Sequence, residues 1–437
     1  MLDQPSPNAF ATRVRALWDS EIPEISERYR GAASAYVVFF AVAFSVGFLG
    51  MMHHTAYLGP GLGDDFILLP FLHLWRQAGT VGPVLVATAT LGAGPLSLGQ
   101  LGLAVLVVAN VVATAAIILG GYFQYERAYG RRYPLDELLT FTLLTLINSA
   151  AIGLLLATVA GLATLAGFDF AEALGAFDRV LAGARAFAAG VPTLVHLPPL
   201  VAFLLVYNVG GFFHYWAHRL GHESRLLWLL FHRHHHMNYD LIQPTSQAVF
   251  FAFPLFVVAA VPYVFVFSAV SKLFTDDPLS VAVYTILFKL VAAFATTFSH
   301  QGALYDLAQS SRFVRWLGVL VSEGPYHYLH HSAEPAEHGK RGNIVNVGGA
   351  MGFLWDRVFG TFREVTPHRP EVGLEGSPRL HLNPLRLALS GLAQLGYELA
   401  NNPGLRTKLR ILAAGADYRP AITRDYAIKQ ARASDGA

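Results

Sequence analysis

Long apolar stretches alternate with short polar segments over most of the chain. Residues 66–98 are apolar but interrupted by prolines and glycines, which predicts a re-entrant hairpin, two short spans or a cap on the periplasmic side. A helix that crosses a bilayer needs about 20 apolar residues. The uninterrupted stretches of that length are 33–52, 100–123, 138–166, 191–213, 246–272 and 278–299. This pattern predicts an all-α, polytopic transmembrane helical bundle of about six spans.

The composition supports a membrane protein and excludes several other classes. Hydrophobic residues make up 54% of the 437 residues and charged residues 14%, whereas soluble domains carry about 25% charged residues. The net charge of +2 lacks the basic excess that a nucleic-acid partner requires. Because the chain has no cysteine, any bound metal must be held by His, Asp, Glu or Asn side chains.

Arginines near the ends of the apolar stretches predict the orientation. They precede the first stretch and follow the second, fourth and sixth, and such residues stay on the cytoplasmic side. We therefore expect a multi-pass protein with both termini in the cytoplasm. The expected parts are a cytosolic leader (1–31) without a secretory signal, a membrane-embedded domain (32–365) and a cytosolic C-terminal tail (366–437).

Most of the 18 histidines lie in clusters between residues 214 and 331. Spacings of three or four residues place side chains on one face of a helix. His234 lies off that face in the second cluster, and His300 stands alone after the sixth apolar stretch. The clusters with helical spacing are His214, His218 and His222; His232, His235 and His236; and His327, His330 and His331.

These histidines indicate a site for two metal ions. Neutral imidazole is a ligand for Fe, Zn, Cu and Ni, and eight or nine imidazoles exceed what one ion binds. Bound metal also keeps clustered histidines neutral, which avoids repulsion between charged rings. We expect the site in a cytosolic helical cap. Possible additional ligands, or hydrogen-bond partners of ligands, are His214, Asn208 and Asn346.

Residues 100–365 resemble the fatty acid hydroxylase/sterol desaturase superfamily of membrane di-iron enzymes. The motifs that carry the resemblance are His218-Arg-x-x-His222, His232-x-x-His235-His236, His300-Gln-Gly, His327-x-x-His330-His331 and Trp355-Asp-Arg-Val-Phe-Gly-Thr361. The resemblance implies the following metal ligands: His218, His222, His232, His235, His236, His300, His327, His330 and His331.

The resemblance also implies an activity. Two Fe ions, for which Zn is an alternative occupant in purified protein, would use O2 to hydroxylate or desaturate a C–H bond in a membrane lipid such as a sterol or fatty acyl chain. Electrons would come from a small ferredoxin-, rubredoxin- or cytochrome-type carrier and an NAD(P)H reductase, because the chain has no nucleotide-binding motif. The expected location is the bacterial inner membrane, with the metal site on the cytoplasmic side.

Basic residues near the histidine clusters have two interpretations. They form either a docking rim for an acidic electron carrier or ordinary cytoplasmic anchors of the spans. The residues concerned are Arg219, Arg225, Arg233, Lys340 and Arg341.

Two positions depart from the pattern of the superfamily. Gly211 stands seven residues before His218, where an Asp is frequent, and Asn346-Val-Gly348 lies one residue further than usual from Trp355.

Two other classes of function stay open. A transporter of divalent metal would need polar groups in the middle of its spans, and a non-catalytic scaffold would need fewer ligands.

Overall fold

The structure is a computed structural model, and parts of the predicted spans lie outside the residues that it describes. The predicted spans 33–52, 246–272 and 278–299 fall largely outside the description, as does most of 66–98. The described residues are 7–24, 26–32, 35–36, 39, 79, 84–86, 96–130, 134–167, 183, 186–237, 269–276, 281, 284–285, 288, 302–334 and 344–429.

The described part of the chain is mostly helical. Two short strands, β1 (Val84–Val86) and β2 (Leu96–Ser97), pair in antiparallel register. The helices in chain order are α1 (Pro7–Asp19), α2 (Leu98–Tyr129), α3 (Leu135–Leu165), α4 (Pro199–Glu223), α5 (Gly302–Ser310), α6 (Arg312–Val321), α7 (Pro325–His330), α8 (Leu354–Phe359), α9 (Pro384–Asn401) and α10 (Leu405–Ala413).

Local sequence signals set the ends of the long helices. The Ser97 hydroxyl accepts a hydrogen bond from the backbone N–H of Gln100, whose side chain accepts one from the Ser97 N–H, so α2 begins with a capping box. Gly130 ends α2 in the left-handed conformation. Pro199 opens α4, where a missing N–H costs no helical hydrogen bond.

Within the part of the chain that the structure describes, one helix, α4, is long and apolar enough to cross a membrane. Its 25 residues rise about 37 Å, which exceeds the roughly 30 Å hydrocarbon core of a bilayer. The predicted stretches 100–123 and 138–166 correspond to α2 and α3, and 191–213 corresponds to α4 with a later start and a later end. The count of about six spans and the cytosolic location of the cap stay predictions.

The chain changes helical geometry after α4. A single α-helical turn (Arg225–Leu227) leads into a π-helical turn (Trp228–His232), which is followed by a 3₁₀ turn (Arg233–His236). The spacing of the second histidine cluster predicts one regular α-helix, but the structure places the cluster on a π-helical and a 3₁₀ turn instead. π-Helical turns are rare and concentrate at functional sites.

The C-terminal residues pack directly behind this irregular turn. Helix α9 contacts both α3 and the π-helical turn. An added Cβ atom at Gly391 would lie 1.9 Å from the backbone oxygen of Leu229, so only glycine allows this approach. The buried core here contains Phe141, Leu144, Met237, Leu374, Leu380, Leu387, Ala388 and Ala427.

Candidate metal centre

Seven of the predicted ligands form two compact groups. Within each group the ring nitrogens lie within 4.8 Å of one another. Helix α4 supplies two of the seven, the π and 3₁₀ turns supply two, and α7 with the residue after it supplies three. The first group is His218, His222, His232 and His330, and the second is His235, His327 and His331.

The distances between ring nitrogens fit shared metal ions. The Nε2 atoms of His218 and His232 are 3.1 Å apart, and those of His222 and His330 are 3.2 Å apart. In the second group, the Nε2 atoms of His327 and His331 are 3.1 Å apart. Two imidazoles bound to one ion at about 2.1 Å have nitrogens roughly 3.0–3.4 Å apart, depending on the coordination geometry.

His236 lies between the two groups. Its Nε2 is 3.1 Å from the Nε2 of His232 in the first group. Its ring stacks on that of His331 in the second group, with centroids 4.3 Å apart. His236 is fully buried. This eighth imidazole makes the two groups neighbours within one centre.

Backbone carbonyls fix the orientation of two ligands. The Nδ1 of His218 donates to the Val347 oxygen at 2.8 Å, and the Nδ1 of His330 donates to the Val345 oxygen at 2.7 Å. A carbonyl only accepts, so the proton is on Nδ1 and the lone pair of Nε2 points into the centre. Lone pairs that face each other at about 3 Å call for a cation between them.

Burial favours the neutral form of the histidines. It lowers the pKa of His232 and His236 well below the ordinary value of 6.5, and neighbouring imidazoles lower it further. Burial also lowers the pKa of His234 to about 4, although the hydrogen bond to the Leu387 oxygen acts in the opposite direction. Neutral imidazole is the form that binds metal.

The segment that carries the two carbonyls is itself held by Asp356. The carboxylate accepts from the backbone N–H of Val347 at 2.7 Å through Oδ1 and from that of Gly348 at 2.9 Å through Oδ2. The Thr361 hydroxyl donates to Oδ1 at 2.7 Å. Because Trp355 Nε1 also donates to the Asn208 oxygen on α4 at 2.8 Å, the motif Trp355–Thr361 fastens the segment 344–350 beside the ligands.

The three additional candidates do not join the two groups. His214 is exposed, and its ring centroid lies 6.1 Å from that of His218. The amide of Asn208 donates to the Leu204 oxygen within α4. Asn346 donates to the backbone oxygens of Tyr326 and Arg363 and accepts from the Arg363 N–H, so it stabilises its own segment. His300 lies outside the described residues.

The three described arginines of the expected docking rim are buried in ion pairs. Arg219 donates to Glu223 at 2.9 Å, Arg225 donates to both oxygens of Glu398, and Arg233 binds Asp425. All three residues are less than 9% exposed. The prediction of an exposed rim is therefore wrong for these three, because their guanidinium groups are satisfied inside the protein. Lys340 and Arg341 lie outside the described residues.

The structure gives a reason for Gly211. A Cβ atom there would lie 2.3 Å from the Gly349 oxygen and 2.7 Å from the Cβ of Ala350. An aspartate side chain does not fit this space. Glycine allows the segment 344–350 to lie directly against α4, where its carbonyls reach the ligands.

Two carboxylates near the ligands were not assigned a role from the sequence. In the sequence Asp356 stands out only as part of a motif, and its partners Val347, Gly348 and Thr361 lie five to nine residues away. Glu323 places Oε2 3.7 Å from His327 Nδ1, near the ring nitrogen that faces away from the other ligands. The spacing of four residues on one chain segment is the signal that could have indicated Glu323.

Comparison with known proteins agrees with this geometry. Residues 201–361 match the family model for fatty acid hydroxylase. The matched segment contains every histidine of the two groups, His236 and the Trp355–Thr361 motif. No solved structure matches the chain.

The match and the histidine cluster together indicate a metal-binding oxidoreductase that acts on lipid and is associated with membranes. Residues 201–361 are therefore similar to the fatty acid hydroxylase family, within the sterol desaturase/fatty acid hydroxylase superfamily.

Proposed function

We propose that this protein is a multi-pass membrane di-iron enzyme that uses O2 to hydroxylate or desaturate a C–H bond in a membrane lipid. The substrate class is a sterol, a fatty acyl chain or a related lipid. The observation that carries the proposal is the convergence of eight imidazoles, seven of them buried and that of His218 half-buried, in two adjacent groups. One ion of four to six ligands cannot use them all, whereas two ions can and still keep positions open for O2.

The donor set fits iron. Iron binds imidazole, and neither described group contains the thiolates that favour Zn structural sites or Cu(I). The eight residues that would hold the two ions are His218, His222, His232, His235, His236, His327, His330 and His331. When bound, the two ions would supply the reduction of O2 and the oxidation of the C–H bond.

The residues of the chain contribute orientation and exclusion of water. The Val345 and Val347 carbonyls fix the rings of His330 and His218 with Nε2 toward the centre. His236, His330 and His331 are completely buried, so the polar centre is separated from bulk solvent. A dry site strengthens electrostatic interactions and limits side reactions of oxidising species.

An apolar face on the helix that carries two of the ligands supports a lipid substrate. On α4, Leu200, Leu204 and Leu205 are 51%, 40% and 42% exposed. The same helix carries His218 and His222 near its C-terminal end. A lipid that packs against this apolar face would reach the ligands without leaving a hydrocarbon environment, which favours entry from the bilayer.

The electron source is part of the proposal. A small ferredoxin-, rubredoxin- or cytochrome-type carrier with an NAD(P)H reductase would reduce the centre from the cytoplasmic side of a bacterial inner membrane. Because Arg219, Arg225 and Arg233 are buried, the carrier has to dock on other residues.

The test compares the intact chain with the double variant His235→Ala/His330→Ala in a lipid-rich host supplied with a ferredoxin and its reductase. His368→Ala is the matched control, because this histidine is exposed and pairs with Glu334 outside the centre. We expect a lipid that gains one oxygen atom or loses two hydrogen atoms with the intact chain and the control only. Purified protein should hold about two metal ions per chain, and the double variant should hold fewer.

Two results would overturn the proposal. If the intact chain binds metal but leaves every lipid unchanged when the ferredoxin and its reductase are present, the centre serves transport or structure. Flux of metal into sealed vesicles would then identify a transporter. If the double variant retains its metal, the two groups are not the binding site.

A further inference from the structure

Two buried residues between the ligands of the second cluster face away from the metal centre. His232, His235 and His236 contact the other ligand rings, whereas Arg233 and His234 bind the C-terminal part of the chain. All five are less than 9% exposed. The short segment therefore has a ligand side and an anchored side.

The anchored side is held by polar contacts with residues far away in sequence. Arg233 forms a two-pronged ion pair with Asp425 and also donates to Gln394 on α9. The Nε2 of His234 donates to the Leu387 oxygen on α9 at 2.6 Å.

A second ion pair holds the turn that precedes the π-helix. The Arg225 Nη2 lies 2.7 Å and 2.6 Å from the two oxygens of Glu398, and the side chains are 1% and 0% exposed. Arg225 also donates to the Tyr418 oxygen at 2.9 Å. This ion pair connects the turn after α4 to helix α9.

The irregular backbone gives these contacts their importance. π and 3₁₀ turns have poorer hydrogen-bond geometry than an α-helix and are stable only in short pieces. Ligand side chains must be held to within about 0.5 Å of their productive positions. A segment that does not hold its own shape needs external contacts, and the contacts on its anchored side come from 384–429.

We infer that residues 384–429 act as a clamp that positions the second histidine cluster for metal binding, with Asp425, Glu398 and the Leu387 carbonyl as positioning groups. This inference rests on the metal centre of the proposed function. It assigns a role to a segment beyond the residues 201–361 that match the family model. In the clamp, His234 is an anchor and not a ligand.

The experiment measures metal binding, independently of lipid oxidation. Asp425→Asn, Glu398→Gln and the intact chain are purified in detergent, stripped with a chelator and titrated with Co²⁺, whose visible absorption reports the coordination of the histidines. Asp276→Asn is the control, since it weakens an exposed ion pair with Lys272 outside the clamp. Asp425→Glu retains the charge and tests rescue.

We expect Asp425→Asn and Glu398→Gln to bind Co²⁺ about 10- to 100-fold more weakly, as is typical for groups that orient ligands, with a changed absorption spectrum. Asp425→Glu should recover part of the affinity, and Asp276→Asn should match the intact chain. Unchanged affinity and spectrum in both clamp variants would overturn the inference.

A variant with restored packing covers the case in which the single variants fail to fold. In Arg233→Met/Asp425→Leu, an apolar pair replaces the ion pair, an exchange that proteins frequently tolerate. Normal thermal stability with weakened Co²⁺ binding supports the clamp, whereas normal stability with normal binding overturns it. If the intact chain itself binds no Co²⁺, the metal centre of the proposed function fails, and not the clamp alone.

Discussion

The substitution Asp356→Asn tests whether the segment 344–350 orients the ligands. The carboxylate accepts three hydrogen bonds, from the N–H groups of Val347 and Gly348 and from the Thr361 hydroxyl. Asparagine replaces one accepting oxygen with an NH2 group, so at least one buried donor then faces another donor.

The structure sets the size of the effect. A buried donor that loses its partner costs about 1–3 kcal/mol, and the hydrogen bonds that remain lose the benefit of an ionised acceptor. We therefore expect Asp356→Asn to lower the free energy of unfolding by about 2–4 kcal/mol. Because Val345 and Val347 hold His330 and His218, metal affinity should also fall by about 10- to 100-fold.

Thermal unfolding in detergent and titration of the stripped protein with Fe²⁺ under anaerobic conditions measure the two effects. Thr361→Val is a graded comparison, since it removes one of the three hydrogen bonds to the carboxylate and keeps the side-chain volume. Asp306→Asn removes an exposed carboxylate that pairs with Arg369 and serves as control. If Asp356→Asn matches the intact chain in both measurements, the segment does not orient the ligands through Asp356.

Three further results are expected. Gly211→Ala places a Cβ against the Gly349 oxygen and should lower the free energy of unfolding by about 3 kcal/mol. Gly396→Ala, on the open face of α9, should raise the free energy of unfolding by up to about 1 kcal/mol. Chemical denaturation measures both changes. Removal of the metal with a chelator should lower the melting temperature, because a free metal concentration one thousand times the Kd stabilises the folded state by about 4 kcal/mol. An unchanged melting temperature would contradict a bound metal. Partial burial raises the pKa of Glu21, but the hydrogen bond from Lys429 outweighs this effect, so the pKa lies below its ordinary value of 4.5. The ionised carboxylate therefore stabilises the fold above pH 4.5 and loses that effect as the pH falls. Glu21→Gln should therefore speed amide exchange in α1 at neutral pH, and unchanged exchange would show that the pair does not hold α1.

The histidine ligands could be predicted from the sequence because their signal is local. Spacings of three and four residues survive in π and 3₁₀ turns well enough for His232, His235 and His236 to face one side, although the backbone is not the regular helix that the spacing predicts. Helical character and one long apolar helix follow from similar short-range patterns.

The contacts that support the ligands could not be predicted, because they join residues far apart in the chain. Nothing near Arg225 indicates that its partner is Glu398, and the same positive charge is compatible with a membrane anchor, a docking residue or a buried pair. Burial decides between these roles, and burial depends on how α9 packs. The role of Gly211 likewise depends on a segment more than a hundred residues away.

Helix α4 relates the depth of the metal centre to the thickness of the membrane. From Pro199 to His218 the helix rises about 28 Å, close to the hydrocarbon thickness of a bilayer of about 30 Å. If α4 crosses the bilayer, a thicker membrane draws His218 into the hydrocarbon or makes the helix stand more upright, and a thinner one increases its tilt. Hydrophobic mismatch would then shift which carbon of a lipid chain meets the ligands, and the acyl-chain length of the host membrane becomes a determinant of product position.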